Sequence, residues 1–285
     1  MTGIVALFGS GETGRYGRQV HERLLNQLPK PPMVAIVETP AGFQSNVDVV
    51  SGKIRHFFEH NLQNYRPNVQ IVPARRRDGP FDANADAIAA PLAEADLIFA
   101  GPGSPTYAAR ILANSRTLDA IVARVAAGAT LSLASAAAIA FGRYALPVYE
   151  IFKVGDDLFW ANGLDFFARF GHNLTVVPHW NNAEGGADLD TSHCYMGDER
   201  FDRLLAMLPG PTTVLAIDEH TACIVDLDRG SCLVHGAGCA YLVQSGDVRA
   251  FASGDSFILD EAGTVMSGRG DDELARVDHA ISPGI

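Results

Sequence analysis

The chain has 285 residues, of which 47% are hydrophobic and 19% are charged. This composition is typical of a folded globular protein and excludes an intrinsically disordered one. The net charge of −11 argues against a nucleic acid or an anionic membrane as a partner. No apolar run reaches the roughly 18–20 residues that a membrane span requires.

The amino terminus and the cysteines both favour a cytoplasmic location. The first residues, MTGIVALFGSGETG, carry no basic segment and soon reach glycines, unlike a secretion signal. The cysteines lack the spacing of a zinc site and predict reduced, mostly buried thiols; they are Cys194, Cys223, Cys232 and Cys239. We expect no metal and no organic cofactor.

The first half of the chain alternates apolar strands with amphipathic helices. Strands are predicted at 4–8, 33–37, 69–72, 97–100 and 130–134. Helices are predicted at 17–28, 45–64, 85–93, 107–112 and 117–127. This alternation predicts an α/β fold in three layers, with a mostly parallel central sheet between two layers of helices.

The second half is predicted to add antiparallel strands. An irregular aromatic segment precedes a short strand, and a helix and four more strands follow; the segments are 143–172, 174–177, 199–208, 213–217, 222–226, 232–235 and 239–243. We expect residues 1–260 to form a single α/β domain and residues 261–285 to form a polar tail.

A glycine-rich turn follows the first predicted strand. Gly9, Gly11 and Gly14 have the spacing of a dinucleotide-binding loop. The acidic residue that such a site needs about 20 residues later is not in place, because Glu38 comes too late and lies in a Thr-Pro turn. The pattern therefore favours a structural strand–helix turn over a nucleotide site.

Ser135 stands where a short apolar strand changes to an alanine-rich helix, in ATLSLASAAAIAFG. A serine at such a switch has the layout of a nucleophile elbow, in which a tight turn exposes the hydroxyl beside the helix amino terminus. The usual pattern is G-x-S-x-G. Ala137 can replace its second glycine, but Leu133 departs from it at the first. A simpler interpretation is that Ser135 only caps a buried helix.

A catalytic serine needs a base and an acid that orients the base. His179 follows a predicted strand downstream of Ser135, and Glu150 lies between the two in the sequence. The N–H of Ala136 is one natural donor to an oxyanion. Gly103, in the glycine loop after an earlier strand, could supply another.

Four sequence blocks resemble the peptidase S51 family, which includes aspartyl dipeptidase (dipeptidase E) and cyanophycinase. They are FAGPGSPTYAARIL (99–112), ASAAA (134–138), VVPHWNN (176–182) and AIDEHTACIVD (216–226). The resemblance implies a class I glutamine amidotransferase-like, flavodoxin-like fold and a Ser-His-acid hydrolase. In the dipeptidase branch the acid lies about fifteen positions after the serine, a spacing that Glu150 meets.

A second histidine keeps the identity of the base open. His193, in DTSHCYMGDERFDRLL, resembles a histidine of the cyanophycinase type. Asp218 and Glu219 precede a strand and are predicted to order local backbone rather than to act in catalysis. Substrate-binding residues are expected in the loops around the nucleophile and the base, namely Gly101, Ser104, Asn181, Asn182 and Glu184.

The sequence thus predicts a serine hydrolase that cleaves an amide bond, most plausibly in a small peptide. Ser135, His179 and Glu150 form the predicted triad. The alternatives are an amidase or acyl transferase that acts on a non-peptide metabolite with the same triad, or a catalytically silent binding module that keeps the fold. A homodimer is expected as the commonest oligomer.

Overall fold

A computed structural model of the chain describes residues 2–210, 212–244 and 247–259. The predicted polar tail, 261–285, lies outside the described residues, so the boundary between it and the domain remains a prediction.

The strands of the described residues follow in chain order. They are β1 Ile4–Phe8, β2 Met33–Val37, β3 Asn68–Val72, β4 Leu97–Ala100, β5 Thr130–Ala134, β6 Tyr144–Ala145, β7 Ala161–Asn162, β8 Leu174–Val177, β9 Thr213–Ile217, β10 Thr221–Asp226, β11 Ser231–Gly236, β12 Cys239–Gln244, β13 Asp247–Ala252 and β14 Ser256–Ile258.

Two of the predicted helices, those at 45–64 and 85–93, are shorter in the structure. The α-helices of the described residues are α1 Arg15–Asn26, α2 Val47–His56, α3 Asp86–Ala89, α4 Pro105–Leu112, α5 Arg116–Ala126, α6 Ala136–Phe141, α7 Ser192–Tyr195 and α8 Gly197–Met207. Single turns of 3₁₀ or π-helix add Thr39–Ala41, Phe57–Asn61, Gln63–Tyr65, Gly79–Phe81, Ala90–Glu94, Tyr149–Val154 and Phe167–Phe170. The helix predicted at 85–93 changes to a 3₁₀ turn where Pro91, which lacks an N–H, interrupts it.

The described strands form a large mixed sheet in the order β14-β11-β10-β1-β5-β4-β2-β3. The five strands from β1 to β3 in that order are parallel, and β10, β11 and β14 extend the sheet in antiparallel fashion. A second sheet has the order β13-β12-β9-β8. The predicted α/β class, with its parallel centre and antiparallel additions toward the carboxyl terminus, is confirmed.

The central strands are buried on both faces, which explains their continuous apolar sequences. All residues of β4 and of β5 are buried, and apolar side chains of the flanking helices pack against them. The carboxyl ends of β1, β4 and β5 meet at one edge of the sheet, the edge where open α/β folds place ligands. Within the described residues, no helix combines the length and the apolar character that crossing a membrane requires.

Candidate active site

Ser135 occupies a strained turn between β5 and α6. Its φ of 51° and ψ of −115° lie outside the regions that non-glycine residues favour, as at a nucleophile elbow. Its N–H donates to the carbonyl of Phe8, 3.3 Å away. Leu133 stands beside Leu7 and Ala100 in the sheet and is fully buried in the core. The leucine at the first elbow position is therefore accommodated as a core side chain.

His179 lies two residues after β8 and brings its imidazole onto Ser135. The distance from Ser135 Oγ to His179 Nε2 is 2.9 Å. The backbone of His179 is fixed on both sides, because its N–H donates to the carbonyl of Gly9 and its carbonyl accepts from the N–H of Cys194. Its φ is 54°, so this residue too is held in a left-handed conformation.

Glu219, at the turn between β9 and β10, is the acid beside the imidazole. Its Oε1 lies 3.0 Å from His179 Nδ1 and accepts a second hydrogen bond from Asn182 Nδ2 at 2.9 Å. The N–H of Glu219 donates to Asn181 Oδ1 at 2.8 Å. The hydrogen bond from His179, assisted by that from Asn182, lowers the pKa of Glu219 below its ordinary value.

These contacts decide which nitrogen of His179 carries the proton. An ionised carboxylate can only accept hydrogen bonds, so Nδ1 is the nitrogen that donates to Glu219. In the neutral imidazole, Nε2 is then the acceptor for the hydroxyl of Ser135. The arrangement can take a proton from the serine and stabilise the resulting imidazolium.

Glu150, the predicted acid, does not contact His179. Its Oε1 accepts a hydrogen bond from Thr106 Oγ1 at 2.5 Å, and Thr106 in turn bonds to Ser104 Oγ at 3.0 Å. The prediction used spacing along the chain, whereas the π-helical turn Tyr149–Val154 carries Glu150 toward α4. The prediction that Glu219 only orders local backbone also needs correction, because its carboxylate is the one on the imidazole.

His193, the alternative base, is directed elsewhere. Its ring packs against Trp180 with centroids 3.9 Å apart, and its Nδ1 lies 3.3 Å from Asp198 Oδ1. Burial lowers its pKa. Of the two histidines that the sequence left open, the structure therefore brings His179 to Ser135.

Both predicted oxyanion donors lie at the carboxyl edge of the sheet. Ala136 directly follows the serine as the first residue of α6. Gly103 has a φ of 151°, and a Cβ on it would stand 1.9 Å from the carbonyl oxygen of Pro40. Only glycine allows this loop to pass so close to the neighbouring backbone.

The predicted substrate-binding residues have structural partners. A Cβ on Gly101 would approach the ring of Phe99 to 2.8 Å, and Ser104 caps α4 by accepting the N–H of Tyr107. Asn181 and Asn182 hold Glu219, as described above. Glu184 Oε2 accepts a hydrogen bond from the hydroxyl of Tyr195 at 3.1 Å.

The glycine-rich turn at 9–14 packs against the site. A Cβ on Gly9 would stand 2.0 Å from the carbonyl oxygen of Asp218, and His220 donates its N–H to Ser10 Oγ at 3.0 Å. Burial raises the pKa of Glu12 above its ordinary value. The glycines that resembled a dinucleotide loop thus allow close packing beside His179. Glu12 is a carboxyl that the sequence analysis missed.

A left-handed turn packs beside His179. His193, Cys194 and Tyr195 have φ values of 52°, 58° and 70°, a conformation that costs roughly 1–2 kcal/mol per non-glycine residue. The N–H of Cys194 in this turn donates to His179, and the ring of Tyr195 lies 6.0 Å from the imidazole. Concentrated backbone strain of this kind is typical of functional sites. Among the described residues, no group of three or more His, Cys, Asp or Glu side chains could hold a metal ion.

Two solved structures with a similar fold carry peptidase names. One is a peptidase from an acI-B1 actinobacterium, with a TM-score of 0.71, 20% sequence identity, and coverage of 90% of this chain and 97% of that one. Another, from Listeria monocytogenes EGD-e, carries the provisional name peptidase E; its TM-score is 0.51 at 14% identity, with 88% and 99% coverage. No protein-family model and no curated protein matches the chain. The resemblance to peptidase S51 is thereby confirmed at the level of the fold.

Proposed function

We propose that this protein is a serine hydrolase that cleaves an amide bond in small peptides. The observation that carries the proposal is the continuous chain of hydrogen bonds from Ser135 Oγ through His179 to Glu219. The shared fold of two peptidases agrees with it. In the proposal Ser135 is the nucleophile, His179 the general base and Glu219 the orienting acid.

The proposed reaction follows the chemistry of an acyl-enzyme. His179 Nε2 takes the proton of Ser135 as Oγ attacks the amide carbonyl, and it returns that proton to the leaving amine. Glu219 holds Nδ1–H and stabilises the imidazolium. The N–H groups of Ala136 and Gly103 are proposed to bind the oxyanion. Water then attacks the acyl-serine with the same base, which releases the acid product and restores the hydroxyl.

Turnover of a panel of amides tests the proposal. Dipeptides, including ones with an amino-terminal aspartate, are incubated beside non-peptide amides with the wild type and with Ser135→Ala. Peptide hydrolysis that is lost in the variant supports the proposal. Turnover of non-peptide amides alone would replace it with the amidase or acyl transferase. The absence of any turnover together with the absence of labelling by a fluorophosphonate would leave the silent binding module.

The cellular setting belongs to the same proposal. The four cysteines are unpaired in the structure, in keeping with a reducing cytoplasm. The acidic net charge supports a small-molecule rather than a nucleic-acid partner. A homodimer is proposed on general grounds only. Light scattering on the purified chain measures the oligomeric state directly.

A further inference from the structure

Glu150 lies in the wall of a cleft to which none of the three residues of the proposed triad contributes. The cleft has a volume of about 660 Å³, within the range of small-molecule sites. Glu150 and Thr106 contribute to its polar wall. Phe43, Tyr107 and Tyr149 contribute aromatic rings.

The loop that leads to the cleft follows β4, the neighbour of the strand that ends before Ser135. Strands β4 and β5 are parallel with Ala100 opposite Leu133, so the residues that follow β4 run alongside Ser135. Those residues form the glycine loop, which leads into Ser104 and Thr106 at the wall of the cleft. Ser135 and the loop that enters the wall of the cleft therefore share the carboxyl edge of the sheet.

The carboxylate of Glu150 is only half satisfied. Its Oε1 accepts from Thr106, whereas its Oε2 is buried and has no hydrogen-bond donor among the described residues. A desolvated carboxylate oxygen without a partner is costly, and a buried polar group of this kind requires a compensating donor. A positive charge in the cleft, close to the half-buried side chain of Glu150, would compensate the charge of the carboxylate as a whole.

The aromatic rings fit the same kind of ligand. Phe43 and Tyr149 are 48% and 40% exposed, unusually high for large rings, and the rings of Phe43 and Tyr107 lie 5.1 Å apart. The face of an aromatic ring attracts cations, and the net charge of −11 raises their local concentration. The carboxylate of Glu150 and the aromatic rings therefore both favour a positively charged ligand.

Arg110 is the cation that this wall already holds. It lies one turn beyond Thr106 on α4, and its guanidinium stands 5.2 Å from the ring centroid of Tyr107. Among the described ion pairs none joins Arg110 to Glu150. The guanidinium is thus placed on a ring and leaves the carboxylate of Glu150 uncompensated.

We propose that this cleft is a subsite for a positively charged group of the substrate, an ammonium or a guanidinium, with Glu150 as its anionic partner. Thr106 positions the carboxylate, and the rings of Phe43 and Tyr149 shield the bound cation from water. The inference rests on the proposed function in treating the occupant as part of the substrate. Its test therefore measures binding separately from turnover.

Binding is measured by calorimetry in the Ser135→Ala background, so that no probe is consumed. The probes are N-acetyl-lysine amide, N-acetyl-arginine amide, free norleucine amide and the neutral N-acetyl-norleucine amide. We expect at least one charged probe to bind about tenfold more tightly than the neutral one. The comparison of the acetylated basic probes with free norleucine amide distinguishes a basic side chain from an amino terminus as the source of the charge.

In the Ser135→Ala background, the further substitution Glu150→Gln should remove the preference for charged over neutral probes. Glu150→Asp should retain part of that preference. Asp157→Asn, which removes an exposed charge from the same segment, should change nothing. Thermal unfolding checks that the variants are folded. Equal binding of charged and neutral probes, or a preference that survives Glu150→Gln, would overturn the inference. A lack of turnover in the wild type with this binding pattern intact would count against the proposed function alone.

Discussion

His179 Nδ1 lies 3.0 Å from Glu219 Oε1, although 40 residues separate the two along the chain. Strands β8 and β9 are parallel neighbours, so the residues that follow them emerge side by side at one edge of the second sheet. Ser135 approaches the same point from the first sheet. The candidate site is therefore built where the carboxyl ends of both sheets meet.

Removal of the charge at position 219 should be far more harmful than its removal at position 150. We expect Glu219→Gln to lower kcat by on the order of 10³-fold, because the imidazole loses the carboxylate that fixes its tautomer and stabilises its protonated form. Glu150→Gln should act on KM for charged substrates instead. Steady-state kinetics measure both, with the exposed Glu199→Gln as a control. Equal losses of kcat in the variants at 219 and 150 would contradict the assignment of the acid.

Asn182 should act as a positioning residue for Glu219. It is 3% exposed, donates to Glu219 Oε1 and accepts the N–H of Glu184. Without the amide, the pKa of Glu219 should rise toward its ordinary value, because one of the hydrogen bonds that lower it is lost. Asn182→Ala is expected to reduce kcat about tenfold with little change in KM. The acid limb of the pH dependence of kcat should shift to higher pH. A loss of stability with an unchanged pH profile would show a purely structural role.

Gly103 should not tolerate a side chain. A methyl group there would meet the carbonyl oxygen of Pro40 at 1.9 Å, so the loop that carries the proposed oxyanion donor must shift. We expect Gly103→Ala to lower kcat about 10²-fold, the effect of losing one oxyanion donor. Gly52→Ala serves as the control, because a Cβ at Gly52 meets nothing within 4 Å. An active Gly103→Ala enzyme with normal kcat would remove Gly103 from the oxyanion site.

Burial of His21 in the core should make the free energy of unfolding fall at acidic pH. It is fully buried among aromatic rings, and burial lowers its pKa from 6.5 to about 4. Between these values the unfolded chain binds a proton that the folded chain does not, so the free energy of unfolding falls as the pH falls. The slope is at most about 1.4 kcal/mol per pH unit for one proton.

Denaturant titrations at several pH values measure that contribution. The pH dependence of unfolding between 6.5 and 4 should be weaker in His21→Gln than in the wild type. The exposed His56→Gln should leave the dependence unchanged. An identical dependence in His21→Gln and the wild type would show that His21 does not titrate in this way.

Local sequence patterns were enough to predict the fold and the strained turn at Ser135. Continuous apolar runs predict buried parallel strands, and Ser135 follows one of them directly before an alanine-rich helix. Both signals depend on neighbours in the sequence, so one chain is enough to find them. The π and 3₁₀ turns that shorten the predicted helices follow from tertiary packing and from single residues such as Pro91.

The contact between Glu219 and His179 could not be predicted in the same way. Glu150 satisfied a spacing along the chain, whereas Glu219 reaches His179 only through the pairing of β8 with β9. The sequence block around Glu219 resembles the peptidase S51 family, but a turn before a strand gives no sign of which way its carboxylate points. Likewise, the glycines at 9–14 indicated a close backbone approach without revealing that the neighbour is the loop of Asp218.

The central claim is that Ser135 is a nucleophile activated by His179 and Glu219. Intact-protein mass spectrometry after brief exposure to a fluorophosphonate tests it most directly, with the wild type, Ser135→Ala, Glu219→Gln and Glu150→Gln side by side. We expect one adduct, mapped to Ser135. It should form at a similar rate in the wild type and in Glu150→Gln, far more slowly in Glu219→Gln, and not at all in Ser135→Ala. Labelling that persists in Ser135→Ala, or a folded wild type that is never labelled, would contradict it.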